Sequence, residues 1–548
     1  MMERWRLLEQ SAIGLFVLLA LGVTAAALPR YAQPLAQVES PDIEVYAFSM
    51  PNNGWAPLTV HFSAYGSRSA HGPLTLIEWD LDGNGLFETD ATGADGYVSV
   101  TLSKPGTYTV GVRVTDSQGG FATAETTVEV RHPGSASVDY WTLFDDSRVQ
   151  RIDLLVSQAN WNQMWANPGS KTEVEASAII YGERIDRIGL SMKGNGSLDA
   201  SGDKKSWKLD FNAFVAGQEF HNLNMMLLHN NFADASLLRE KMAYDMAQFA
   251  GVPSAFTAYV EVWIDITDDD QPPEYWGVYT LVERPDRQYV ASRFGRGNDD
   301  GNLYKADAWF EQGAADLAYY GPDIGGYPLP RGRIAYRNMS GDEEADYSDI
   351  INLCYIIDGA EYGTPEEWAD ALEQVFNVDS FLRYLAVIFL NLNLDTYPYT
   401  GNNYYLYHHP GTDRFEWIAW DMNNSWGHFA GGYDFPLYGV EQSVGPLQYA
   451  PLYTKVFEVE RYRVAYRAYV DLLLRHWFND SAVSTQAQAW HDLIAPYIHQ
   501  ATGDKDFYGS TALYTVEAFD QGWREIAELT RQRSAFIQAA LNEETDSP

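Results

Sequence analysis

Residues Asn391 to Gly427 read NLNLDTYPYTGNNYYLYHHPGTDRFEWIAWDMNNSWG, and everything else in the chain is best understood from this stretch. It holds two carboxylates, Asp395 and Asp421, with the amide pair Asn402 and Asn403 between them, all beside strand-like aromatic runs. Oxygen donors in that order can hold a divalent metal on a phosphate. Within the same stretch His408 and His409 are adjacent, so on a strand they face opposite ways and are not expected to share a zinc ion. Asp413 is expected only to turn the chain at a hairpin tip.

Outward from this stretch, 548 residues exceed one ordinary core and predict two or more domains. The 17 Trp and 36 Tyr are ample to fill them. A formal net charge of -38 argues against nucleic acid, whose phosphates need clustered Lys and Arg. Cys354 is the single cysteine, which excludes an intramolecular disulfide and a cysteine-ligated zinc, and its apolar neighbours predict a buried small hydrophobe. At the N-terminus, Arg4 and Arg6 precede an apolar run from Ala12 to Leu28 that includes Ala25-Ala26-Ala27. Residues 1-28 therefore read as a secretory signal or a membrane anchor, and 29-40 as a linker.

Residues 41-131 alternate as half-buried strands separated by Gly, Pro and Asp turns, the pattern of an immunoglobulin-like β-sandwich. The segments WAPLTVHFSAYGS (55-67), IEWDLDGNGLFE (77-88) and KPGTYTVGVRVTDSQGG (104-120) resemble the PKD domain, an extracellular module suited to act as a spacer or to bind surface polysaccharide or protein. Asp80, Asp82 and Asn84 imitate the first half of a calcium loop without its bidentate Glu. They leave two readings, a Ca2+ site or a turn closed by Asx hydrogen bonds.

After a His132-Pro133-Gly134-Ser135 linker, residues 138-548 change character. A hairpin reverses at Tyr181-Gly182-Glu183. The strand ending in KKSWKLDF puts Trp207, Leu209 and Phe211 on one face. Asp234-Ala235-Ser236 caps a helix with apolar positions Leu237, Leu238, Met242 and Met246, and strands follow at 258-264 and 277-283. Residues 306-345 show no period and are expected to be a long surface excursion. Helices are expected at 365-376 and 380-392 and again from Pro451 onward. The order predicts a two-lobed α+β domain with a cleft between its lobes.

Phosphoryl transfer needs metal on the phosphate oxygens, a cation on the nucleotide and a carboxylate at the incoming hydroxyl. Lys, helix, strand ending in Glu, then Asp, Asn and Asp is the chain order of those parts in protein kinases. The segments KGNGS (193-197) with KKSWKLDF (204-211), LLHNNFADASLLREKMAYDMA (227-247), WGVYTLVERPD (276-286), GNLYKA (301-306), LDTYPYTGNNYYLY (394-407) and FEWIAWDMNNSWG (415-427) together resemble the CotH family of atypical secreted kinases.

That resemblance implies a protein-kinase-like fold and an exported enzyme that uses ATP with Mg2+ or Mn2+ to phosphorylate Ser or Thr of partner proteins. It makes Asp395 the catalytic carboxylate. Asp421 and Asn403, with Asn402 as rival, become metal ligands. Lys204 or Lys205 would be the nucleotide cation, with Lys208 a third possibility. Arg239 becomes a phosphate or ion-pair residue, and Glu283 either an adenine contact or an interlobe salt bridge. The Gly-rich run Lys193 to Ser197 suits backbone contact with phosphate, but Lys193 and Gly196 depart from the family's Arg-Gly-Asn-Ser-Ser. The alternatives are a coat or surface scaffold that has lost catalysis and a nucleotidyl transfer on the same fold. Walker and Gly-x-Ser-x-Gly motifs are absent.

Overall fold

The computed structural model describes residues 40-93, 96-131, 140-199, 202-307, 314-328, 334-340, 346-439, 449-500 and 503-545. The apolar run 12-28 and the linker 132-135 lie outside these. Among the described residues no helix is long and apolar enough to cross a membrane.

The N-terminal domain is a sandwich of a three-stranded sheet (Phe48–Met50, Leu58–Ser63, Val98–Leu102) and a five-stranded sheet (Asn53–Trp55, Phe121–Arg131, Gly106–Asp116, Leu74–Asp80, Thr89–Asp90). Alternation drives it: Val110, Val112 and Val114 all point inward and are fully buried with Phe62 and Trp79. The Trp79 indole N–H donates to Gly96 O at 2.7 Å, satisfying the one polar atom of that large side chain. In the Asp80 loop, both carboxylate oxygens of Asp80 accept backbone N–H groups of Asn84 and Gly85, at 3.1 and 2.8 Å. Asn84 Oδ1 in turn accepts from Leu86 N at 2.8 Å. The last of these is an Asx turn.

The sandwich is fixed to the rest of the chain. Phe48 and Met50 enter the largest core, Asn53 Nδ2 donates to Gly251 O at 3.0 Å, and Asn52 Nδ2 to Asp379 Oδ2 at 3.0 Å.

Beyond it, seven strands close a barrel in the order β1-β2-β3-β4-β5-β7-β6. They are β1 Gln150–Val156, β2 Val174–Ile180, β3 Glu183–Lys193, β4 Ser206–Asp210, β5 Met225–His229, β6 Thr257–Ile266 and β7 Glu274–Val282. All pairings are antiparallel except the closing one between β1 and β6. The expected hairpin at Tyr181-Gly182 pairs Ile180 with Glu183, and Trp207 and Leu209 fill the barrel interior at 0% exposure.

Helix α1, Arg239–Ala250, crosses from barrel to the remaining core and ends on Gly251 at φ +82°. There the left-handed backbone suits glycine. Leu237 and Leu238 precede the helix, which begins two residues later than the apolar spacing predicts.

The helix-rich part is built on α2, Val378–Asn391, whose side chains are buried along almost its full length. A four-stranded sheet of β8 Leu303–Ala306, β9 Tyr336–Asn338, β10 Tyr404–His409 and β11 Arg414–Ala419, in the order β9-β8-β10-β11, flanks it. Residues 306-345 are not the expected surface excursion where they are described: Ala315, Leu317, Ala335 and Tyr336 are at most 1% exposed. Ala315 N donates to Gly401 O at 3.0 Å and Tyr404 Oη to Ala315 O at 2.7 Å, so this segment buttresses the loop that carries Asn402 and Asn403.

Candidate functional site

Asp395 lies just past α2, on the loop that follows Leu392 in the left-handed conformation. Asp421 lies two residues past β11, itself at φ +53°, and Asn403 stands at φ +59° directly before β10. Positive φ at non-glycine residues costs energy that surrounding structure must hold in place, and such residues concentrate at functional sites. Here the Tyr244 hydroxyl from α1 accepts Asp421 N–H at 3.0 Å, and Asn403 Nδ2 donates to Asp395 O at 2.7 Å. Asn424 Nδ2 donates to Asp395 Oδ2 at 2.8 Å. The sequence reading missed Asn424, although it sits three residues past Asp421 on the same turn.

Burial, and then repulsion from Asp421, push the Asp395 carboxyl up to about 6, against hydrogen bonds from Asn424, Thr400 and Asn403 that pull the other way. Neither Asp395 nor Asp421 has an ion-pair partner among the described residues, and no three His, Cys, Asp or Glu side chains converge there as a metal cluster. Two half-buried carboxylates that repel each other, with amide oxygens beside them, form a donor set that fits a hard divalent cation. Asn423 Oδ1 on the same turn is buried with no hydrogen-bond donor, consistent with that fit. Asn402 is the poorer ligand candidate, because its Oδ1 accepts the Thr400 hydroxyl.

Two lysines lie within the field of Asp421, Lys193, the last residue of β3, and Lys305 on β8. Burial pushes the Lys193 ammonium down to about 8, with Asp421 and then Glu240 pulling it back up and Lys305 adding repulsion. Lys305, on β8, is also pushed down by burial, and Asp421 opposes that shift. The sequence placed Lys193 at the head of a Gly-rich backbone loop and expected the nucleotide cation at Lys204 or Lys205; in the structure Lys193 ends β3, and those two lysines lie on internal partners. Lys204 Nζ is fully buried between Asp504 Oδ2 at 2.8 Å and Asp506 Oδ2 at 3.3 Å, and lies over the Tyr279 ring. Lys205 Nζ donates to Leu198 O at 3.1 Å and is 4% exposed, while Lys208 pairs with Glu173 at 2.7 Å.

Glu283 follows the salt-bridge alternative: its carboxylate forms a two-point ion pair with Arg293, at 2.5 and 3.2 Å, and also accepts Phe256 N–H at 3.0 Å. Its carboxylate is thereby taken up by donors of the protein itself. Arg239 takes its ion-pair option, contacting Asp234, whose Oδ2 also accepts Arg239 N at 2.9 Å at the start of α1.

His408 binds Asp349 and Asp413, each at 3.0 Å, whereas His409 Nδ1 accepts the Gly411 and Thr412 amides; the two rings serve separate partners. Asp413 thus does more than turn the chain. Cys354 is fully buried, and burial pushes its thiol far up, away from reactivity.

A family model described as CotH kinase protein matches residues 190–537, more than half of the chain, and one described as PKD domain matches residues 45–130. The inner spore coat protein H of Bacillus subtilis (strain 168) is 22% identical over 413 residues, spanning 73% of this chain and 99% of that protein. Among solved structures, the PKD1 domain of Vibrio anguillarum Epp is 26% identical, covering 17% of this chain and 100% of its own length with a TM-score of 0.14. The PKD1 domain of the Vibrio cholerae metalloprotease PrtV is 23% identical, covering 16% and 93%, with a TM-score of 0.13.

Proposed function

We propose, because the chain belongs to the CotH kinase protein family and carries a PKD domain ahead of it, that it is an exported kinase transferring the γ-phosphoryl group of ATP to Ser or Thr hydroxyls of surface proteins. The observation that carries this reading is the pair Asp395 and Asp421, half-buried, mutually repelling and without a basic ion-pair partner among the described residues, beside amides and with the charge of Asp421 acting on Lys193. The barrel and the helix-rich part then act as the two lobes of a kinase-like domain, with the nucleotide between them.

In this reading Asp395 orients the acceptor hydroxyl and takes its proton. A bond forms from that oxygen to the γ-phosphorus as the bond from the γ-phosphorus to the bridging oxygen breaks, and ADP leaves. Asp421 and Asn403 would hold Mg2+ or Mn2+, which supplies neutralisation of phosphate charge. Lys193 donates to the non-transferred phosphates, the role expected of Lys204 or Lys205. A surface location agrees with the spore-coat name of the Bacillus subtilis relative, and the PKD domain would hold the enzyme on a surface protein or polysaccharide.

Incubation with γ-labelled and, separately, α-labelled ATP tests this. Label from γ alone on Ser or Thr, lost in Asp421→Ala, is the expected result. Label from α would mean nucleotidyl transfer, and no label from either would mean a scaffold.

A further inference from the structure

Glu240 sits in the first turn of α1, 2% exposed, and no direct ion pair joins it to Lys193 among the described residues. His229, the last residue of β5, stands between them: its Nδ1 lies 2.8 Å from Glu240 Oε1, and its Nε2 contacts Lys193 Nζ. An ammonium has only donors. The contact with Nε2 therefore uses that nitrogen's lone pair, which puts the ring proton on Nδ1, where it is donated to the Glu240 carboxylate. The ring is neutral, in one tautomer, and links a cation to an anion. Its edge packs against Trp420, 6.2 Å between centroids, the residue immediately before Asp421.

We infer that His229 is a positioning residue that passes the placement of helix α1, through Glu240, to the ammonium of Lys193. The helix and the lysine are then set together: with Glu240 docked the ring is held with Nε2 toward the lysine, and with the helix displaced the ring loses the acceptor that fixes its tautomer and orientation. Three elements that come from separate parts of the sequence, β3, β5 and α1, are read out at one atom. Its catalytic consequence rests on the nucleotide-binding role proposed for Lys193, whereas the linkage itself stands on the two contacts alone.

The test is trace acetylation of the full-length protein at neutral pH, with Lys193 quantified by peptide mass spectrometry against the exposed Lys104. In His229→Leu the buried ammonium loses its acceptor, and Lys193 is expected to acetylate about fivefold faster relative to Lys104. KM for ATP should rise about tenfold while kcat changes much less. His229→Gln, whose amide keeps an acceptor and a donor, is expected to return both readouts to within about threefold of the starting protein. Glu240→Gln, which preserves shape, should also speed acetylation.

Unchanged or slower acetylation in both His229→Leu and Glu240→Gln would overturn the linkage, as would a Gln variant as impaired as the Leu variant. If acetylation responds as expected but MgATP fails to protect Lys193 in the unaltered protein, the linkage stands and the nucleotide reading falls.

Discussion

Two pairs of aspartates have opposite surroundings. Asp504 and Asp506 share the buried Lys204 ammonium, and Asp504 also takes the Val278 amide at 2.7 Å and that of Asp506 at 2.9 Å. Asp395 and Asp421 are more accessible, lack a basic ion-pair partner among the described residues and are flanked by side-chain amides. A satisfied buried pair holds elements together, whereas an unsatisfied one stores a demand for positive charge. All four aspartates lie on loops, so the difference is made by what each loop meets across the fold.

The sharpest way to break this contrast is Asp395→Asn. Phosphotransfer is expected to fall about 10²- to 10⁴-fold, the usual contribution of a positioned general base, measured by initial rates with labelled ATP. Stability should move the other way. The folded carboxyl titrates near 6 rather than 3.8, so the folded state loses stability as pH rises through that window. Removing the ionisable group should raise the unfolding free energy of the metal-free protein by about 2 kcal/mol at pH 8, and leave it little changed at pH 4, by urea titration. A loss of stability at pH 8 would contradict the strain assigned to this pair.

Lys204→Met should do the reverse. Leaving Asp504 and Asp506 buried without their cation costs about 3–5 kcal/mol, seen as a lower urea midpoint, with transfer per folded molecule retained. A folded, stable but inactive Lys204→Met would return Lys204 to the active site. Third, Glu283→Gln breaks a buried two-point ion pair with Arg293 and should lower the thermal midpoint while leaving KM for ATP within about threefold. A large KM effect without destabilisation would restore the adenine contact.

The smallest effect concerns the domain contact, where His61 of the sandwich stacks on His476 with 3.6 Å between ring centroids. Burial, and then His476, push His61 down to about 4. The unfolded ring takes a proton at higher pH than the folded one, so this contact's stability is complete above about pH 6.5 and is lost as pH falls through 4. His61→Phe is expected to flatten the acid limb of the stability curve by about 1 kcal/mol.

Much of the fold is written in short-range pattern. Inward alternation at Val110, Val112 and Val114, the Tyr181-Gly182 reversal and the Gly251 helix end each follow from neighbours within a few residues, and so could be read directly. The two carboxylates of the site were legible for the same reason, since each lies on a turn beside an aromatic strand. The cation was not. Lys204 lies two residues ahead of β4, so alternation does not say where it points, and nothing local says that Asp504, 300 residues away, will be waiting there. Lys193 was obscured by its glycine neighbours, whose signal was for backbone contact. Residues 314-328 looked solvated because they carry no period, while their burial depends on distant partners such as Gly401, which a local pattern does not show.

The long reach of the Lys204 contact also sets an order of events during synthesis. Asp504 Oδ2 lies where a side chain on Gly277 would be, so the barrel wall and the end of the chain are fitted to one another. Until the ribosome has made residue 504, Lys204 is an unpaired charge that the barrel cannot bury, and close packing around Tyr279 must wait. The barrel therefore reaches its final packing only once a segment 300 residues further along the chain is present to meet it.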